Sequence, residues 1–192
     1  MKLFINALLM TIVLTLLLGV IYPLAMTGIS QVLFPDQANG SLITVNGKTV
    51  GSHLIGQAFA DAKNFHSRIS AINYSSDSAQ SGGTNLGPTS QGLHDRVKHD
   101  ADSLHKLYPE LPATLPSDML TSSASGLDPD ISVANALAQV PIVAKANGLD
   151  PAKVEQLVRS HIKSRTLGIL GEDVINVLEL NLDLHALKPE HS

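Results

Sequence analysis

This sequence predicts an α+β fold: one N-terminal transmembrane helix followed by a single mixed α/β soluble domain. Three observations carry the prediction. From Leu3 to Pro35 there is no Asp, Glu, Lys or Arg, and Ala7 to Ala25 is almost entirely Leu, Ile, Val, Met and Ala. An Asn-Gly pair between β-branched runs marks a hairpin. Capped amphipathic helices then lead to a late apolar run with strand alternation.

The anchor comes first. The nineteen residues from Ala7 to Ala25 cover roughly 28 Å as a helix, which matches the hydrocarbon core of a bilayer. A cleaved secretory signal competes, but the run is too long. Tyr22, Pro23 and apolar residues through Ile29 and Phe34 follow, with no convincing small-x-small cleavage site before Gly28. Lys2 and the terminal amine are the only positive charges on the short side, and the other flank has no Lys or Arg until Lys48. That bias places the N-terminus in the cytoplasm and the rest outside. The expected layout is a short cytoplasmic N-terminus at 1–6, a transmembrane helix at 7–27 and an extracytoplasmic α+β domain at 28–192. The absence of cysteine fits an oxidising compartment.

Within the anchor, Ala7, Thr11, Thr15 and Gly19 recur every four residues. Successive members advance about 40° around a helix, so they form a stripe of small residues. Such a stripe lets one spanning helix dock on another; the alternative is that Thr and Gly are simply tolerated there.

Beyond the anchor the balance is mildly acidic. The whole chain carries a net charge of −4, and Lys2 lies on the far side of the helix. With no basic stripe and no tryptophan, nucleic acid is not an expected partner. The roughly 155 residues that follow suffice for one packed domain.

Leu42 to Val45 and Lys48 to Val50 flank Asn46-Gly47, which predicts two antiparallel strands joined by a turn needing two positive φ angles. Ser75 to Ser90 is dense in Ser, Gly, Asn and Pro and reads as a loop. A helix is predicted from Gln91 to Leu107, with Leu93, Val97, Ala101, Leu104 and Tyr108 on one face. Pro109, Pro112 and Pro116 mark a linker. Ser132 can cap a helix whose apolar face includes Val133, Leu137 and Val140; Pro141 should kink or divide it before Gly148 ends it. Asp150 caps the next helix, with Pro151 at its first position and Leu149 stapled to Val154. Val174 to Leu180 alternates as a strand, before a short helix near Asp183.

No enzyme motif is present: no GxxxxGK[ST], GxGxxG after a strand, HExxH or GxSxG, and no cysteine nucleophile. No catalytic residue and no metal site are expected. His94, His99 and His105 lie close in sequence, but on one helix the first two point about 140° apart and cannot share an ion. The segment from Gln80 to Gly87, with Ser81, Gly82 and Gly83 at its centre, can present backbone N–H groups to an anion. Its alternative is an ordinary glycine-rich loop packed on the domain or on a partner. Gln139 sits in the helix that meets Pro141, where its amide can cap carbonyls left unpaired by the proline.

Seven stretches carry a family resemblance: FPDQANGSLI after the anchor, GSHLIGQAF, NFHSRIS, SGGTNLGPTS, SGLDPDIS, AQVPIVAKANGL and VINVLELNL. In this order, behind a single N-terminal helix, they are similar to the C-subunit family of the Kdp potassium-transporting P-type ATPases. The chain departs from the family pattern at Ile69, where proline is usual, and at Ala62-Lys63-Asn64. The resemblance implies a non-catalytic accessory subunit of an ATP-driven potassium import complex in a bacterial inner membrane. Its partners would be an ATP-hydrolysing pump subunit, a potassium-channel-like subunit and a small stabilising subunit, together with the lipid bilayer. No D-K-T-G phosphorylation motif is present, so the hydrolytic chemistry is expected to lie with a partner.

The resemblance also implies a catalytic-chaperone role that raises the pump's ATP affinity, with nucleotide contacts at Gln139 and, more weakly, Ser81, Gly82 and Gly83. No firmly bound cofactor is expected, and ATP is the one ligand the resemblance brings. The predicted topology disfavours it, since it puts Gln139 outside the cell and ATP within. The favoured expectation is an assembly role, the helix clamped on transport subunits and the domain over the potassium entrance. A stand-alone, membrane-anchored binding or sensor protein is the alternative.

Overall fold

A computed structural model describes residues 1–75 and 80–187. Residues 76–79, part of the loop predicted from Ser75 to Ser90, lie outside the described residues. The chain forms two compact units, which part between Ser52 and His53.

The first unit is dominated by one continuous helix of 32 residues, Lys2–Leu33, in which no residue is buried. It runs as α1 (Lys2–Leu16), a π turn (Leu17–Ile21) and α2 (Tyr22–Leu33). At 1.5 Å per residue it reaches about 48 Å, more than a bilayer core, so it tilts or projects beyond the lipid. The helix extends beyond the segment 7–27 expected to span the membrane, continuing to Leu33, two residues before Pro35. Pro23 is absorbed within it. A proline ring crowds the carbonyl four residues earlier, here Gly19, and the π turn enclosing Gly19 loosens that stretch.

A short helix, α3 (Pro35–Ala38), leads into the hairpin of β1 (Leu42–Val45) and β2 (Lys48–Ser52). Asn46 and Gly47 take φ values of 51° and 74°, as the turn requires. Pairing shifts between Ile43 and Thr44: Thr44 faces Thr49 while Ile43 faces Gly51, so Val50 is a bulge.

The second unit holds the core. Two short strands, β3 (Asp130–Ser132) and β4 (Val174–Asn176), pair antiparallel with Ile131 opposite Ile175, both essentially inaccessible to solvent. Each strand runs straight into a helix that its own last residue caps. Ser132 Oγ accepts from Asn135 N–H at the start of α6 (Val133–Asn147), and Asn176 Oδ1 accepts from Glu179 N–H at the start of α8 (Val177–Ala186). Between them α7 (Pro151–Ser160) is capped by Asp150, whose side chain accepts from Ala152 N–H. Phe65, Ala136, Val140, Val143, Val154, Val158, Leu180 and Leu184 close the core around the isoleucine pair.

Two expectations are corrected. The strand expected through Leu180 stops at Asn176, and a helix replaces the rest. Asn176 followed by Glu179 is an N-cap signature, and Val177, Leu180, Asn181 and Leu184 are buried at helical spacing. Of the two effects expected of Pro141, a kink or a division, division does not occur: α6 continues to Asn147 and ends, as expected, at Gly148 in the left-handed conformation with φ 66°. One missing N–H removes a single bond of the ladder, while Val140, Val143 and Ala144 around it are fixed in the core.

The predicted helix Gln91–Leu107 is present as α4, followed in the proline-rich stretch by α5 (Ser117–Leu120). No residue of α4 is buried. Its expected apolar face is only half-covered.

The Glu179 carboxylate receives Lys163 Nζ at 2.8 Å and also His53 Nδ1. Burial raises its pKa, but the hydrogen bonds from Lys163 and His53 outweigh that and hold it below the ordinary glutamate range. Its stabilisation is therefore complete above that range and disappears as pH falls through the lower folded-state value. Glu179→Gln is expected to lower Tm near neutral pH by about 2–4 °C, the response of a chain this size to about 1 kcal/mol. A thermal melt series should show the gap to wild type closing as the pH is taken below the carboxylate range.

Candidate functional site

Phe65 and His66 follow directly on a turn in which Asn64 N–H donates to Asp61 C=O at 2.9 Å; they lie outside every strand, and Phe65 enters the core with no exposed surface. Along an extended backbone the N–H and C=O of one residue point to one side and those of the next to the other. A β-sheet would meet both sides with neighbouring strands. Here helices do it with side-chain amides.

Asn181 of α8 takes both backbone groups of Phe65: its Oδ1 accepts from Phe65 N–H at 2.7 Å, and its Nδ2 donates to Phe65 C=O at 2.9 Å. Gln139 of α6 does the same for His66 on the opposite side, accepting from its N–H at 2.7 Å and donating to its C=O at 3.2 Å. Further along α6, Asn147 Nδ2 donates to Lys63 C=O at 2.8 Å, and His185 of α8 meets Asn64 Oδ1 at 2.7 Å. The second N–H of the Gln139 amide goes to Asn135 Oδ1 at 2.8 Å, and Asn135 Nδ2 continues to Asp118 Oδ2 at 3.1 Å. Asn135, Gln139 and Asn181 are all buried. Every amide proton of Gln139 is thus committed inside the domain.

This overturns the expected role of Gln139 beside Pro141. The amide does not cap carbonyls of its own helix; it holds a separate segment. Geometry explains the difference, since the side chain leaves α6 towards His66 rather than along the helix axis.

Gln139 also lies at the floor of a groove of about 300 Å³, between α6, the His66 segment and α4. Leu104, Tyr108, Met119 and Val143 give it a largely apolar wall, and the rings of His66 and Tyr108 meet edge to face at 6.3 Å. The groove lining includes none of Ser81, Gly82 and Gly83.

Those three residues pack elsewhere. Gly82 N–H donates to Ser125 C=O at 2.8 Å, and the Ser81 hydroxyl donates to the same carbonyl at 3.1 Å. A Cβ on Gly83 would stand 2.8 Å from Ala124 O, and one on Gly126 would stand 2.8 Å from Gly82 O. The two glycine-bearing turns interlock, so small residues are required for their contact. One of the N–H groups that an anion would use is already bound within the domain.

A second cavity of about 500 Å³ is lined by Asp118, Asp128, Asp130, Glu172 and Asp173, with Arg68 among them. Its charges are partly answered: Arg68 pairs with Asp128 at 2.8 Å, and Asp118 accepts from Ser132 and Asn135. Burial raises the pKa of Asp130. Among the described residues no group of three or more His, Asp or Glu side chains is placed to hold a metal ion. His105 Nε2 instead meets Pro112 C=O at 3.0 Å.

In the anchor, the Thr11 hydroxyl donates to Ala7 C=O at 2.9 Å, turning its polar group onto its own helix. A Cβ at Gly19 would meet nothing nearer than Thr15 Cγ2 at 3.9 Å. The chain's own fold therefore places no demand for glycine there.

Sequence reasoning passed over Asn135, Asn147, Asn181 and His185. The signal was available as polar residues spaced by four or eight along otherwise apolar helices: the amides Asn135, Gln139 and Asn147 on α6, and the amide Asn181 with the imidazole His185 on α8.

The profile of the KdpC family, described as K+-transporting ATPase, c chain, matches residues 4–186. Among curated proteins, the potassium-transporting ATPase KdpC subunit of Koribacter versatilis is 50% identical over 185 residues, covering 96% of this chain and 95% of its own. The subunit of the same name from Polaromonas naphthalenivorans is 51% identical, covering 95% and 94%. That of Clostridioides difficile is 43% identical, covering 93% and 94%.

Gln139→Ala leaves the N–H and C=O of His66 and the Asn135 carbonyl without partners. Asn181→Ala does the same to both groups of Phe65. Each substitution is expected to lower stability by about 3 kcal/mol, the range for stranding buried backbone groups. Urea unfolding of the full chain in detergent micelles checks this; losses under about 0.5 kcal/mol, typical of ordinary surface positions, would show that the amides do not hold the segment.

Proposed function

This chain belongs to the KdpC family, the c chain of K+-transporting ATPases, and from that membership we propose that it is an accessory subunit acting through assembly rather than chemistry. One observation carries the reading: the helix Lys2–Leu33 carries no charge after Lys2, is predominantly apolar, and buries none of its residues within its own chain. Lipid and neighbouring helices must supply what it packs against. The stripe of Ala7, Thr11, Thr15 and Gly19 is the docking face. With Thr11 bonded to its own backbone, the stripe offers a small, apolar surface, and Gly19 is small for a neighbour's benefit.

The partners in this proposal are the ATP-hydrolysing pump subunit, the potassium-channel-like subunit and the small stabilising subunit. The N-terminus is cytoplasmic and the domain stands on the external face, beside the potassium entrance. Its mild negative charge enriches cations only slightly, since screening acts over about 8 Å at physiological salt. A nucleotide contact at Gln139 would require ATP to displace bonds to His66 or Asn135. Membership of a subunit family also leaves no place for the stand-alone sensor.

Replacing Thr11, Thr15 and Gly19 together by Leu is expected to strip the other subunits from the chain during purification in mild detergent. Unchanged co-purification would sink the docking face. Because the chain has no cysteine, Ser81→Cys gives a clean topology probe. Intact cells should label with an impermeant thiol reagent, whereas labelling only after permeabilisation would place the domain inside and return ATP to its reach.

A further inference from the structure

Two tight turns of the chain share nearly the same pair of positive φ angles, although the first is a two-residue loop between Val45 and Lys48 and the second, between Thr166 and Leu170, spans three residues. Asn46 and Gly47 take φ values of 51° and 74°; Leu167 and Gly168 take 55° and 76°. Asn-Gly is the pair such a turn favours, because Asn tolerates the left-handed region and glycine is indifferent to it. Leucine is poorly suited to it. Nor does the fold recover anything from the leucine, which is 85% exposed, with Ile169 at 76% and Leu170 at 57% beside it.

The arm bearing these residues is ordered by its own bonds. Lys163 and Val174 exchange backbone hydrogen bonds at 2.8 and 3.1 Å, Thr166 and Leu170 at 2.9 and 3.0 Å, and Arg165 N–H reaches Asp173 Oδ1 at 3.1 Å. The apolar tip is therefore held out, in a strained conformation, by a scaffold that does not use it. Strain without a structural return points to function.

We infer that the tip formed by Leu167, Ile169 and Leu170 is an interaction surface that inserts into an apolar pocket on another polypeptide subunit of the transport complex. This rests on the subunit reading above. Three side chains present far less than the roughly 800 Å² per partner of a self-sufficient interface, so the tip suits a partner already held close by a membrane anchor. A bilayer surface fits less well. Lys163 and Arg165 are matched by Glu172 and Asp173, with Arg165 paired to Glu172 at 3.3 Å, and no Trp or Tyr lies in the arm.

Two measurements on the full complex test this. Leu167→Asn restores the favoured turn residue and is expected to raise the chain's Tm while lowering retention of the other subunits in a wash series about tenfold, the effect of losing one anchor residue. A lower Tm would make Leu167 structural and overturn the inference. The second uses the photo-crosslinker p-benzoylphenylalanine in place of Ile169 and, separately, of Thr15, irradiated in native membranes. An adduct from position 169 to another subunit supports the tip; one to lipid or to a second copy of this chain overturns it. Adducts from position 15 alone would overturn the tip and leave the subunit reading standing, whereas none from either would remove both.

Discussion

An extended backbone that crosses a hydrophobic core without a neighbouring strand must find its hydrogen bonds elsewhere, because an unpaired buried N–H or C=O is strongly unfavourable. In this domain Asn181 and Gln139 provide them, one from each flanking helix. Much else follows from that arrangement. Phe65 can fill the centre of the core because its backbone is held on one side and that of its neighbour on the other. The β3 and β4 pair then fixes where α6 and α8 begin, and so where the two amides stand. Asn135 and Asp118 extend the polar chain from His66 to α5, tying the proline-rich stretch to the same centre.

Much of this fold was legible in the sequence, and the part that was not has a physical reason. Local signals suffice for the Asn46-Gly47 turn, the Ser132 and Asp150 caps, the Gly148 stop and the extent of α4, all of which depend on residues within a few positions of one another. The failure at Val177 to Leu180 came from alternation of apolar residues, which fits a short strand and a helix start equally well until the Asn176 cap is weighed. The clamp was hidden for a different reason. Gln139 and His66 are 73 residues apart and Asn181 and Phe65 are 116 apart, and no local pattern announces such pairing. An amide within an apolar face is the only hint.

Gln139, Gly82 and Gly83 serve internal contacts. Gly19 and Leu167 do not: the first is smaller than its surroundings require, and the second is larger and more apolar than its turn favours. These are two positions, one in the anchor and one at the tip of the 163–174 arm, that the fold by itself does not account for.

Amide hydrogen exchange at Phe65 and His66, followed with and without ATP, tests the central claim most directly. If side-chain amides from α6 and α8 hold this segment, both N–H groups should exchange as slowly as those of the core helices, and ATP should leave them unchanged. Loop-like exchange at these two positions, or a change at His66 on adding ATP, would contradict the claim.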